Sequence, residues 1–149
     1  MDTIRLPPDF REFLQFLNEE KVEYLVVGGY AVGFHGYPRA TKDIDIWVAV
    51  HPDNADRLVR VFQRFGFSAN RVSPNLFLQE NKVVSIGNEP VRIDVITSID
   101  GVGFFECYAK RQERIHEGIK INVIGLDDLK INKRATGRKR DIADLDELP

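Results

Sequence analysis

The chain has 149 residues, with 21 Lys and Arg against 23 Asp and Glu, so its formal net charge is −2. Apolar residues make up 43% and charged residues 30%. That balance excludes a disordered tail, a collagen-like repeat and a coiled-coil rod, and it predicts one globular domain over residues 1–149.

The near-neutral charge argues against gripping nucleic acid by overall charge, although local basic patches are compatible with it. Cys107 is the only cysteine, so no intrachain disulfide forms and a reducing, cytoplasmic setting is expected. No apolar stretch approaches the ~18–20 residues that cross a bilayer, and no membrane role is expected. Residues 1–10 show no basic segment leading into an apolar run, so no leader is read there.

In chain order, Pro7 and Pro8 precede a helix whose apolar stripe is Phe10, Phe13, Leu14 and Leu17. Residues 24–27 read as a short buried strand running into Gly28 and Gly29, and residues 30–34 as a helix closed by Gly36–Pro38. Residues 43–50 alternate Ile44, Ile46, Val48 and Val50 with Asp43, Asp45, Trp47 and Ala49, which is a strand. His51-Pro52-Asp53 opens a helix that carries Ala55, Leu58, Val59, Phe62 and Phe65 on one face and ends at Gly66. Short strands are expected at 76–78, 83–86, 91–97 and 120–124, with a helix at 104–111. Two closing helices are expected at about 126–135 and 141–148, divided by Gly137. The alternation of elements predicts an α/β or α+β domain with a mixed sheet.

The chemistry concentrates around Asp43-Ile44-Asp45. Carboxylates at i and i+2 on a strand point to one face, with alpha carbons ~7 Å apart, and they repel unless a cation sits between them. Mg²⁺ takes such oxygens and completes its shell with substrate phosphates; Mn²⁺ takes a similar set. Asp94, in an apolar-Asp-apolar context, would complete a two-metal site if its strand neighbours Asp43–Val50. Gly28-Gly29, between strand and helix, lets backbone N–H groups approach a phosphate. Arg39, Thr41 and Lys42 lie just upstream of the carboxylates, placed to meet a triphosphate or an acceptor.

The pattern apolar-Gly28-Gly29, thirteen residues, Asp43-Ile-Asp45-Ile and a later Ile-Asp94-Val resembles the polymerase-beta-type nucleotidyltransferase superfamily. Within it, the run Arg39-x-Thr41-x-Asp43-Ile-Asp45 is similar to the small abortive-infection and type IV toxin-like nucleotidyltransferases. So is the tail from Leu126 through Lys133 to Arg140-Asp141-Ile-Ala-Asp144-Leu. The resemblance implies a mixed, twisted sheet flanked by helices, with a short helical C-terminal extension over about 126–149. It implies transfer of a nucleoside monophosphate from an NTP to RNA, a protein or a small-molecule hydroxyl, with a cognate antitoxin or other partner protein. By the same likeness Asp43, Asp45 and Asp94 hold Mg²⁺, Lys133 neutralises the triphosphate, and Asp141 supports the nucleotide site. Gly29 stands where many members of the superfamily have a serine.

Each feature has a plainer reading. Asp-x-Asp can be a solvated strand end, Arg39 and Lys42 surface charges, and Asp141 an N-cap with Asp144 in the first helical turn. The basic run Lys130–Arg140 can be a solvated face. The glycines do not match the Gly-x-Gly-x-x-Gly spacing of a dinucleotide fold. His35, His51 and His116 lack metal-ligand spacing, with a local structural role for His35. Cys107 and Trp47 read as packed residues. A catalytically silent module that binds nucleotide, protein or RNA is the alternative function.

Overall fold

The computed structural model describes residues 4–39, 41–88 and 90–149. Residues 1–3 of the segment read for a leader, and Ala40 of the Arg-x-Thr run, lie outside them. Helix α1 (Pro8–Glu19) begins on Pro7-Pro8, whose fixed φ suits a first turn, and buries Phe10, Phe13, Leu14 and Leu17. Strand β1 (Tyr24–Val27) is buried at all four positions and passes directly into α2 (Gly28–Phe34). That helix starts on the glycines themselves, two residues earlier than the sequence predicts. Strand β2 (Asp43–Val48) leads to α3 (Pro52–Arg64), capped by His51, whose Nδ1 accepts from the Asn54 N–H at 3.2 Å.

The expected strand at 76–78 is instead a short 3-10 turn, Pro74–Phe77. Pro74 has no N–H to give a ladder and holds φ near the helical value. Strands β3 (Val83–Ile86) and β4 (Arg92–Ile96) follow, then α4 (Phe104–Ala109). Strand β5 (Gln112–His116) has no counterpart in the expected elements. It is a sheet edge whose residues are mostly exposed, so it shows no apolar period. Strand β6 (Ile119–Val123) and helices α5 (Leu126–Thr136) and α6 (Lys139–Glu147) complete the chain. Among the described residues no helix is long and apolar enough to cross a membrane.

The six strands form one mixed sheet in the order β3-β4-β2-β1-β6-β5. Strand β2 runs parallel to β4 and antiparallel to β1, while β1 runs parallel to β6. Helices cover both faces. Tyr24 pairs with Val48 in register, and its hydroxyl donates to Asn18 of α1 at 2.8 Å, placing α1 over the Ile44–Ile46–Val48 face. Helix α3 joins α1 there through Phe13 and Phe62, edge to face with centroids 5.7 Å apart. On the other face Phe104 of α4 sits edge-on to Trp47 at 5.1 Å. Trp47 is thus core, 2% exposed, and the carboxylates share its face of β2.

Candidate active site

Register builds the centre of the site. Asp45 pairs with Asp94, and Asp43 with Arg92, across parallel β2 and β4. Neighbouring strands lie ~4.8 Å apart, so three carboxylates and one guanidinium crowd a single patch of the sheet. Arg92 Nη2 donates to Asp43 Oδ2 at 2.6 Å and to Asp94 Oδ2 at 3.3 Å, and its Nε lies 3.1 Å from Asp94 Oδ1. Ser85, paired with Asp94 from β3, donates its hydroxyl to Asp94 Oδ1 at 2.6 Å. Burial, and next the charges of Asp94 and Asp43, push the Asp45 carboxyl up to about 7 against the opposing pull of Arg92 and Arg138.

The glycine turn closes on this patch from β1. Val27 pairs with Asp45, and Gly28 follows with φ +68°; a Cβ there would lie 2.2 Å from Asp45 Oδ2. Only glycine accepts both the conformation and the contact. At Gly29 a Cβ would lie 2.8 Å from Thr41 Cγ2 and 2.9 Å from Thr41 Oγ1, with Arg39 Nη2 at 3.4 Å. The space of a side chain at position 29 is therefore filled by Thr41. A cleft of about 450 Å³ opens here, lined by Gly29, Arg39, Thr41, Lys42, Asp43, Asp45 and Arg140. Asp45 also borders a second cleft of about 290 Å³, with Ser98, Asn132, Thr136 and Arg138 among its walls.

Lys133 lines neither cleft. It is 3% exposed, and its ammonium donates to Asp141 Oδ1 at 2.9 Å and lies 3.0 Å from Asp144 Oδ2. Asp144 in turn accepts both forks of Arg39, from Nε at 3.1 Å and Nη2 at 3.0 Å. Asp141 also accepts from Thr136 at 2.5 Å and Arg138 Nε at 2.8 Å. Burial raises the Asp141 carboxyl, but those donors outweigh it and hold it down at about 2. Lys133 thus sits in a buried ion-pair chain that ties Arg39 at the cleft to α5 and α6. Asp141 lies inside the first turn of α6, whose N-cap is Arg138. His35 Nε2 lies 2.6 Å from the Ile124 carbonyl, and Cys107 is buried.

Arg92, Ser85, Arg140 and Asp144 belong to the site beyond the residues picked from sequence. Arg92 had a signal, since it stands two residues before Asp94 on the same strand face. Among the described residues no three of His, Cys, Asp and Glu are gathered as a group that could hold a metal; between Asp43 and Asp94 the cation is Arg92. The donors nevertheless suit a hard divalent ion in charge and chemistry. Two carboxylates already share one cation, and their charges crowd the third. At Asp45 Oδ2, glycine leaves open a cradle that a Cβ would fill.

No curated protein matches the chain. A protein from Thermotoga maritima, described as a "putative nucleotidyltransferase", matches it with a TM-score of 0.63 over 93% of this chain and 88% of its own, at 19% identity. An antigenic nucleotidyltransferase-like protein from Paracoccidioides brasiliensis matches with a TM-score of 0.55 over 91% of this chain and 72% of its own, at 16% identity. At such identities the likeness is one of fold. The family model described as "Nucleotidyltransferase of unknown function (DUF6036)" matches residues 6–148, a span that holds both glycines, all three carboxylates and the Lys133 network, and the chain belongs to that family.

Proposed function

We propose that the protein transfers a nucleoside monophosphate from an NTP to an acceptor, releasing pyrophosphate, with Mg²⁺ (or Mn²⁺) held by Asp43, Asp45 and Asp94. The observation that carries this reading is the register of Asp45 with Asp94, beside a cleft whose other walls are Gly29, Thr41 and three cations. A pair of divalent ions supplies charge to the attacking and leaving oxygens of such a transfer.

The chain's own residues do the rest by position and charge. Gly28 and Gly29 keep the turn free of side chains, so phosphate oxygens come close to the backbone. Thr41 offers a hydroxyl in the volume a serine at position 29 would use. Arg39, Lys42 and Arg140 offset the polyphosphate charge. Lys133 and Asp141 act at one remove, through the ion-pair chain that aims Arg39. The acceptor class is RNA, a protein side chain or a small-molecule hydroxyl. A cognate antitoxin or other partner protein belongs to the same reading, by likeness to the toxin-like enzymes.

Calorimetric binding of the four NTPs, with Mg²⁺ and with EDTA, tests the reading on wild type and Asp43→Ala/Asp45→Ala. Wild type is expected to bind at least one NTP only with Mg²⁺, and the double variant to lose at least about a hundredfold in affinity, as several kcal/mol of charge stabilisation go. Binding indifferent to both metal and mutation would instead mark a catalytically silent module.

A further inference from the structure

We propose that Arg92 is a resident counter-ion of the carboxylate patch, exchanged for the divalent cation when that cation binds. The inference rests on the reading above and adds to it a competition built into the site. The oxygens a cation would need, Asp43 Oδ2 and those of Asp94, are the ones Arg92 now occupies, at 2.6, 3.1 and 3.3 Å. Guanidinium and metal cannot both take them, for reasons of space and of like charge.

Burial decides which partner moves. The Asp94 side chain is 11% exposed, and Ser85 fixes it from the adjoining strand. The Asp43 side chain is 21% exposed and that of Arg92 is 35% exposed. Arg92 is also the first residue of β4, so its side chain can turn towards solvent without unpacking the core. The carboxylates stay in place, and the guanidinium leaves. A doubly charged ion also offsets the mutual repulsion of three carboxylates better than one guanidinium does. The clamp thus keeps the acidic patch folded when no cation is present, and it sets a threshold concentration for filling the site.

The test is Mn²⁺ binding to the full chain, followed by the electron paramagnetic resonance signal of free Mn²⁺, together with melting in EDTA. Arg92→Gln is expected to bind Mn²⁺ on the order of tenfold more tightly than wild type, since no charge-assisted hydrogen bonds have to be broken first. Its melting temperature in EDTA is expected to fall. Adding Asp43→Ala to Arg92→Gln is expected to remove the gain, which places the ion. Equal or weaker Mn²⁺ binding by Arg92→Gln, with wild type binding normally, overturns the counter-ion proposal alone. No Mn²⁺ binding by either protein overturns the metal reading of the site, and the proposal with it.

Arg92→Lys guards against a variant that fails to fold. It keeps the charge but not the fork, so its Mn²⁺ affinity is expected between the other two. In wild type itself, the Arg92 Nε–H resonance, assigned by its loss in Arg92→Lys, is expected to exchange faster with water once Mg²⁺ is added. An unmoved resonance at saturating Mg²⁺ overturns the proposal without any variant.

Discussion

Asp45→Asn is expected to make the protein more stable in EDTA while ending its metal-dependent binding of nucleotide. The Asp45 carboxyl is raised to about 7 by burial and by Asp94 and Asp43. Between about pH 4 and pH 7 the folded chain therefore holds a proton that the unfolded chain has released, and wild type loses stability as pH rises through that window. Above pH 7 the full penalty is present. Asparagine carries no charge, so the advantage of the variant is small at pH 4 and grows to a ceiling of about 4 kcal/mol by pH 8. Melting curves from pH 4 to 8 in EDTA check this. A constant difference across the range would show that Asp45 is not crowded by its neighbours. The trade of stability for a charged site is one that functional centres often make.

Lys133→Met is expected to destabilise the fold by about 3–5 kcal/mol, lowering the melting temperature by roughly 6–15 °C. Methionine matches the volume but leaves Asp141 and Asp144, 4% and 3% exposed, without the ammonium between them. Breaking one partner out of a buried ionic group costs more than the group contributes intact, because the remaining charges stay desolvated. Arg39 keeps its bond to Asp144, so the variant tests the anchor and not the cleft directly. A loss below about 1 kcal/mol, measured by urea unfolding, would mean that Lys133 is solvated as the surrounding Lys and Arg residues are.

Where local pattern and tertiary contact agree, the sequence was readable. Alternating Ile44, Ile46 and Val48 against Asp43, Asp45 and Trp47 defines a strand with one polar end. A glycine pair ahead of it defines a tight turn, and together they place Gly28 on Asp45. Asp94 was legible because its apolar flanks mark a buried strand. Arg92 is harder to read as part of the site, because a metal centre is signalled by its acids and not by the cation that neutralises them. The burial of Lys133 is hidden for the converse reason. In a run of Lys and Arg every member reads as exposed, and only the packing of α6 on α5 after Gly137 (φ +66°) brings Asp141 and Asp144 onto it. The missing strand, β5, is a polar edge, where hydrogen bonding to β6 rather than burial makes the strand.

Transfer of a nucleotidyl group is read out by the position of a radiolabel. Wild-type protein is incubated with Mg²⁺, cell extract and each NTP in turn, labelled at the α- or the γ-phosphate. The α-label from at least one NTP is expected to become attached to an acceptor while the γ-label leaves as pyrophosphate, and EDTA is expected to abolish both. Attachment of the γ-label, or no attached α-label from any of the four NTPs, would contradict nucleotidyl transfer.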